Sequence, residues 1–227
     1  MNNVEIPERI NEKLAYLVGF ISGDGHICVR KYKHEYSIFC TGNLIDEKYF
    51  YKNFIRKIFI DLFKITPKIR IDKKNNTINL VVYSKRLVFY LSDYCGIPIG
   101  AKSGKIKIGR IFNSSFNLKC AFIQGFVDAD FSLCLKKRYK KIPYYPVISG
   151  TSKSKKVILE ISNFLRNSTN ITFSLNLNKI QYDNRFKNKM TVTHNIHIYG
   201  RKNLSEWVKI IGFRNSKYLK ILKKLKI

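Results

Sequence analysis

An α+β fold built twice over is what the sequence predicts, on three observations. The chain repeats part of itself, each copy is followed by the same order of helical and strand patterns, and its strands have one apolar and one polar face. Residues 14–30, LAYLVGFISGDGHICVR, align without a gap on residues 120–136, CAFIQGFVDADFSLCLK, at an offset of 106 residues. Ala15 falls on Ala121, Gly19 on Gly125, Phe20 on Phe126, Asp24 on Asp130 and Cys28 on Cys134, and Arg30 is replaced by Lys136. That offset is close to half of the 227 residues, as a duplicated unit requires. The segment GRIFNSSFN (109–117) joins the copies, which divides the chain into halves at 1–112 and 113–227.

Each element has its own justification. The repeated segments are apolar at nearly every position, the pattern of a buried helix, and each ends on its aspartate. Tyr36–Asn43 (YSIFCTGN) and Tyr145–Thr151 (YPVISGT) then read as strands, followed by helical spacing over about Asp46–Leu62 and Lys153–Asn167. A strand pair follows in each half: Lys68–Asp72 and Thr77–Tyr83 around the turn KKNN, then Thr172–Gln181 and Met190–Tyr199. Helical stretches close both halves, at Ser84–Tyr94 and Lys202–Ile211, with a basic amphipathic helix from Ser216 onward. The unit is helix, hairpin, helix, hairpin, helix.

Composition narrows the function classes. Lys and Arg number 43 against 15 Asp and Glu, a formal charge of +28, while 45 % of residues are hydrophobic and 14 % aromatic. So much apolar surface excludes disorder as a default. So much uncompensated positive charge calls for a polyanion, and nucleic acid is the usual one. Charges interrupt every apolar run before it reaches the roughly 20 residues of a membrane span. The opening MNNVEIPERINEK has neither the basic start nor the apolar centre of a secretory signal. The five cysteines, at 28, 40, 95, 120 and 134, form no C-x-x-C pair and read as small core residues in a reducing compartment.

The strands supply the recognition surface. In KIRID, Lys68, Arg70 and Asp72 face away from Ile69 and Ile71; in FSLNLN, Asn176 and Asn178 face away from the apolar set. Thr193 and Asn195 share a face with Thr191, His197 and Tyr199, and Lys136 and Arg138 share one with Ser132 and Cys134. Together with Arg30 and Asn79 these are the candidate DNA contacts, since Arg and Lys reach guanine edges, Asn reaches adenine and Thr meets the thymine methyl. His194 and His197 fall on opposite faces of one strand, which disqualifies them as joint zinc ligands. Trp207 has core spacing.

The chemistry is expected in the repeat. Gly19 and Gly23, like Gly125 and Ala129, are four apart and form flat stripes on which two helices can pack closely. That packing brings the helix ends together and, with them, Asp24 and Asp130. Two carboxylates at the negative ends of two helices repel one another, an arrangement that a hard divalent cation such as Mg²⁺ or Mn²⁺ reverses. Paired acids beneath a basic sheet suit metal-assisted phosphodiester hydrolysis.

LVGFISGDG (17–25) and IQGFVDADF (123–131) resemble the two signature motifs of single-chain LAGLIDADG homing endonucleases, most closely the compact intron-encoded enzymes of archaea. The resemblance implies two αββαββα units packed through their motif helices into a saddle over double-stranded DNA. It implies a monomer that cuts both strands of a long, non-palindromic site and so promotes intron mobility. Asp24 and Asp130 would then be the metal ligands, assisted by the backbone carbonyls of Gly23 and Ala129. Lys102 and Lys217 would be the basic residues near the two metals, and Ser22 and Asp128 would be structural. The same fold can also serve as an RNA maturase on its own intron RNA, or persist as an inactive DNA-binding protein. The expected setting is the cytoplasm of an archaeal or other prokaryotic host, or an organelle. Two departures stand out: Phe131 replaces the usual Gly, where an aromatic ring can either narrow the second metal's space or reshape the exit into the strand, and Thr41-Gly42-Asn43 stands where a polar residue is common.

Overall fold

The repeated segments form two helices that are apolar around most of their circumference. In the computed structural model, which describes residues 4–139, 141–183 and 189–227, these are α1 (Glu12–Asp24) and α5 (Phe116–Asp130). Asn11 caps α1 by accepting from the Leu14 N–H, and Ser115 caps α5 by accepting from the Leu118 N–H. Every residue of α1 from Leu14 to Gly23 is buried. A helix with no solvated side must be enclosed, and these two enclose each other.

Glycine makes the contact possible. A Cβ on Gly19 would collide with the Phe122 carbonyl oxygen, and one on Gly125 with the Tyr16 carbonyl oxygen. At Gly23 an added Cβ would sit 2.5 Å from the Ala129 Cβ. The two stripes are therefore pressed together at backbone distance.

Each half carries a four-stranded antiparallel sheet. The first holds β1 (Gly25–Arg30), β2 (Glu35–Asn43), β3 (Lys68–Asp72) and β4 (Thr77–Tyr83) in the order β1-β2-β4-β3. The second holds β5 (Phe131–Lys136), β6 (Tyr145–Ser152), β7 (Phe173–Asp183) and β8 (Lys189–Tyr199) in the matching order β5-β6-β8-β7. Registers match too: Gly25 pairs with Cys40 and Phe131 with Gly150. The two strands expected at 68–72 and 77–83 have those bounds, while β7 and β8 each extend beyond the expected segment.

Helices cover one face of each sheet. In the first half a continuous helical run comprises α2 (Leu44–Phe50), a widened π-type turn (Tyr51–Ile55) and α3 (Arg56–Phe63), followed later by α4 (Lys85–Phe89). In the second half these roles fall to α6 (Lys155–Ser168), α7 (Gly200–Ile210) and α8 (Ser216–Leu225). One hydrophobic core runs through both halves, with Trp207 fully buried in it as its spacing predicted. The opposite face of each sheet stays polar, because side chains alternate. Among the described residues no helix is long and apolar enough to cross a membrane.

Candidate nucleic-acid interface and active site

Asp24 and Asp130 are the last residues of α1 and α5, and the glycine seam brings them side by side. The Asp130 Cγ lies 3.3 Å from where a Gly23 Cβ would be. Half-buried Asp24 accepts a hydrogen bond from the Tyr51 hydroxyl at 3.2 Å, delivered by the widened turn after α2. Burial pushes its carboxyl up to about 8, reinforced by the negative charges of Glu47 and Asp130 and opposed by Lys217 and the Tyr51 bond. Asp130 is the more open to solvent. Its carboxyl is also raised by the surrounding protein, with Lys102 and Lys217 pulling it down. The pair shares one electrostatic problem, and the more enclosed member carries more of it.

Both predicted lysines reach this floor, by different routes. Lys102 lies on the loop after α4, which is tied to β1 by the Gly100 N–H donating to the Ile27 oxygen at 2.8 Å. Its ammonium donates to the carbonyls of Ile21 (3.4 Å), Ser22 (2.9 Å) and Gly23. Ser22 and Gly23 offer carbonyls that a helix end leaves without a backbone partner, at its negative pole, while the Ile21 carbonyl also accepts the Gly25 N–H. Burial lowers the Lys102 pKa, and Asp130 and Asp24 oppose that shift. The Gly23 carbonyl, expected as a metal ligand, is thus held by a protein cation.

Lys217 lies in the first turn of α8 and pairs with Glu47 Oε1 at 2.8 Å. Asn215, the α8 cap, donates from Nδ2 to the same Glu47 oxygen at 2.7 Å and to the Asp128 carbonyl at 3.1 Å. Glu47, Asn215 and Tyr51 were missed in the sequence. Glu47 did leave a signal: it lies on the same helical stripe as Phe50 and Tyr51, an acid where an apolar residue belongs.

Asp128 is fully buried, and its Oδ2 accepts from the Tyr16 hydroxyl at 2.7 Å and from the Arg214 N–H at 2.8 Å. Phe131 does not narrow the space around Asp130. As the first residue of β5 it points into the core, where its ring fills the space beside Gly150 and meets Phe126 edge-on at 6.0 Å. Strand alternation sends it away from the acids, so the expected obstruction is corrected.

The polar sheet faces hold most of the candidate DNA contacts in the open. Lys136, Arg138, Asn176, Asn178, Lys68 and Arg70 lie on or beside these faces, Asn178 within a bulge of β7, and Arg138 stacks over the Tyr145 ring at 4.5 Å. Three of the candidates are internally engaged: Arg30 with Glu35 at 3.4 Å, Arg70 with the Tyr83 hydroxyl at 2.9 Å, and Asn79 with Thr41 at 2.5 Å. Thr193 and Asn195 differ from the expectation, because both are 5 % exposed on the inner strand β8 and offer little surface. His194 is buried and His197 lies on the polar face, as alternation required.

Among the described residues no cluster of three or more His, Cys, Asp or Glu could hold a metal. Two carboxylates and nearby carbonyls nonetheless make a set of hard oxygen donors, and the Asp24 carboxyl is raised first by burial and then by the charges of Glu47 and Asp130. Such a set fits Mg²⁺, which takes few protein ligands and keeps several waters.

No protein-family model and no curated protein matches the chain. Solved structures do. I-DmoI in complex with DNA and Ca matches at 22 % identity with a TM-score of 0.62, covering 94 % of this chain and 97 % of that one. Its complex with DNA and Mn matches with a TM-score of 0.59, at 88 % and 96 % coverage. The I-SmaMI LAGLIDADG homing endonuclease bound to cleaved DNA matches at 15 % identity with a TM-score of 0.55, over 98 % of this chain and 90 % of that one. The chain has the two-domain LAGLIDADG fold of these structures.

Proposed function

We infer that the chain is a DNA homing endonuclease that hydrolyses both strands of a long, asymmetric site with the help of Mg²⁺ or a similar divalent cation, and so promotes mobility of its intron. One observation carries the reading: two aspartates 106 residues apart meet at the ends of two packed helices, between two polar-faced sheets of a +28 chain. The structural neighbours support it, being named as homing endonuclease complexes with DNA and, for I-DmoI, with Mn or Ca.

On this reading residues 1–112 and 113–227 each serve one DNA strand. Asp24 and Asp130 would hold the cation, with the Ala129 carbonyl, and with the Gly23 carbonyl once Lys102 moves off it. A bound divalent cation supplies charge neutralisation at the scissile phosphate. Lys102 and Lys217 bring positive charge to phosphate oxygens at the same floor, Lys102 oriented by the carbonyls of α1 and Lys217 by Glu47. Arg30, Lys68, Arg70, Lys136 and Arg138 hold the duplex by its backbone and base edges, with Asn79, Asn176 and Asn178 adding hydrogen bonds. One chain supplies both half-sites, so a monomer suffices.

The test uses a duplex recovered from a randomised library by its binding to the protein. Incubation with Mg²⁺ is expected to give a double-strand cut that EDTA prevents and that neither Asp24→Asn nor Asp130→Asn produces. A protein that binds this duplex but never cuts it, or that cuts it equally well in EDTA, contradicts the reading.

A further inference from the structure

Glu47 is a buried acid of the first half whose bonds lead into the second. Its side chain is 6 % exposed. Oε2 accepts from the Asn43 N–H of its own half at 2.9 Å. Oε1 accepts from Asn215 Nδ2 at 2.7 Å and from Lys217 Nζ at 2.8 Å, both in the second half. Asn215 is fully buried and spends its amide on Glu47 and the Asp128 carbonyl at the end of α5. The bonds form one chain across the seam: Lys217, Glu47, Asn215, Asp128, Tyr16.

An ion pair with its acid buried and its lysine only 29 % exposed is a poor way to gain stability, because desolvation consumes much of the attraction. The other half shows the apolar alternative. Glu47 lies seven residues beyond Cys40, the strand partner of Gly25; seven residues beyond Gly150, the partner of Phe131, is Val157, fully buried and apolar. Among the described residues Lys102 donates hydrogen bonds to the carbonyls of α1 and to no carboxylate. A charge kept where valine suffices, with both oxygens engaged, fixes the place of whatever it binds.

We propose that Glu47 is a positioning residue: it reaches from the first half to hold Lys217 of the second half beside Asp24, so that the cut of one strand depends on a bond across the seam. The proposal deepens the endonuclease reading and rests on it. Lys102, held within its own half, serves the other strand without Glu47.

Two readouts test this on the full chain. The first is cleavage of the selected duplex, labelled separately on each strand. Glu47→Gln, which keeps the shape and loses the charge, is expected to slow one strand by about tenfold or more, consistent with losing a charged hydrogen bond. The other strand should stay within about threefold, so nicked duplex accumulates, and Glu47→Asp should restore part of the loss. The second readout is acetylation of lysines by acetic anhydride, read by mass spectrometry without DNA or metal. Lys217 should acetylate faster in Glu47→Gln, with Lys220 and Lys102 unchanged. Equal slowing of both strands, or unchanged Lys217 reactivity in a folded variant, overturns the proposal. A wild-type protein that cuts nothing refutes the endonuclease reading instead, and the lysine reactivity still decides whether Glu47 holds Lys217.

Discussion

The helix seam and the polar floor at its end are neighbours, yet the duplication left them very different. At the seam the halves are near copies: Gly19 meets the Phe122 carbonyl as Gly125 meets the Tyr16 carbonyl. At the floor they diverge. Lys102 rests on the carbonyls of α1 in its own half, whereas Lys217 is held by a carboxylate from the other half. Asp24 has a tyrosine hydroxyl and a buried glutamate beside it; the corresponding strand turn near Asp130 has the core ring of Phe131 packed over Gly150. Backbone contact at the seam leaves no room for variation, because any side chain there collides with a carbonyl. Polar groups at the floor can be satisfied in several ways, so each half has its own solution.

The largest effect should come from the symmetric region. Gly19→Ala and Gly125→Ala should each destabilise the fold by about 3 kcal/mol, the upper range for overpacking, because the obstacle is backbone that cannot turn aside. Urea denaturation measures this, and the comparison predicts nearly equal losses. A large loss in one variant beside a negligible loss in the other would break the symmetry argued here.

A second effect, spread along the pH scale, should expose the asymmetry. A carboxyl whose pKa rises on folding binds its proton more tightly in the native state, so its destabilisation is absent below the unfolded pKa and grows as pH rises towards the folded one. For Asp24, pushed up to about 8, metal-free protein should lose stability between about pH 4 and pH 8 and level off above. The decline should be on the order of a few kcal/mol, and Asp24→Asn should remove most of it. Asp130→Asn should flatten the curve less, since that carboxyl is more open to solvent and has two lysines pulling it down. Equal flattening would mean that Glu47 contributes nothing to the difference.

Much of this organisation was legible in the sequence because it is written in periodic or repeated form. The offset between Asp24 and Asp130, the glycine stripes and the alternation in KIRID each record a geometric rule with a fixed period, and β3 falls where alternation put it. The destinations of single polar side chains were not legible. Glu47 looks like an acid in the first turn of a helix, a favourable place by the helix dipole alone, and only docking of the halves shows that it faces Lys217 and Asn215. Thr193 and Asn195 carry groove chemistry by alternation, but an inner strand and a bulged neighbour bury them. Phe131 was read against a motif when its position as the first inward residue of a strand decides where it points.

The account stands on two aspartates from separate halves acting together on a divalent cation. Mn²⁺ binding in the presence of the selected duplex, followed by electron paramagnetic resonance, tests this most directly. Wild-type protein should bind Mn²⁺, and Asp24→Asn and Asp130→Asn should each weaken that binding by about tenfold or more, as loss of a charged oxygen ligand implies. Mn²⁺ binding that survives both substitutions unchanged would contradict it.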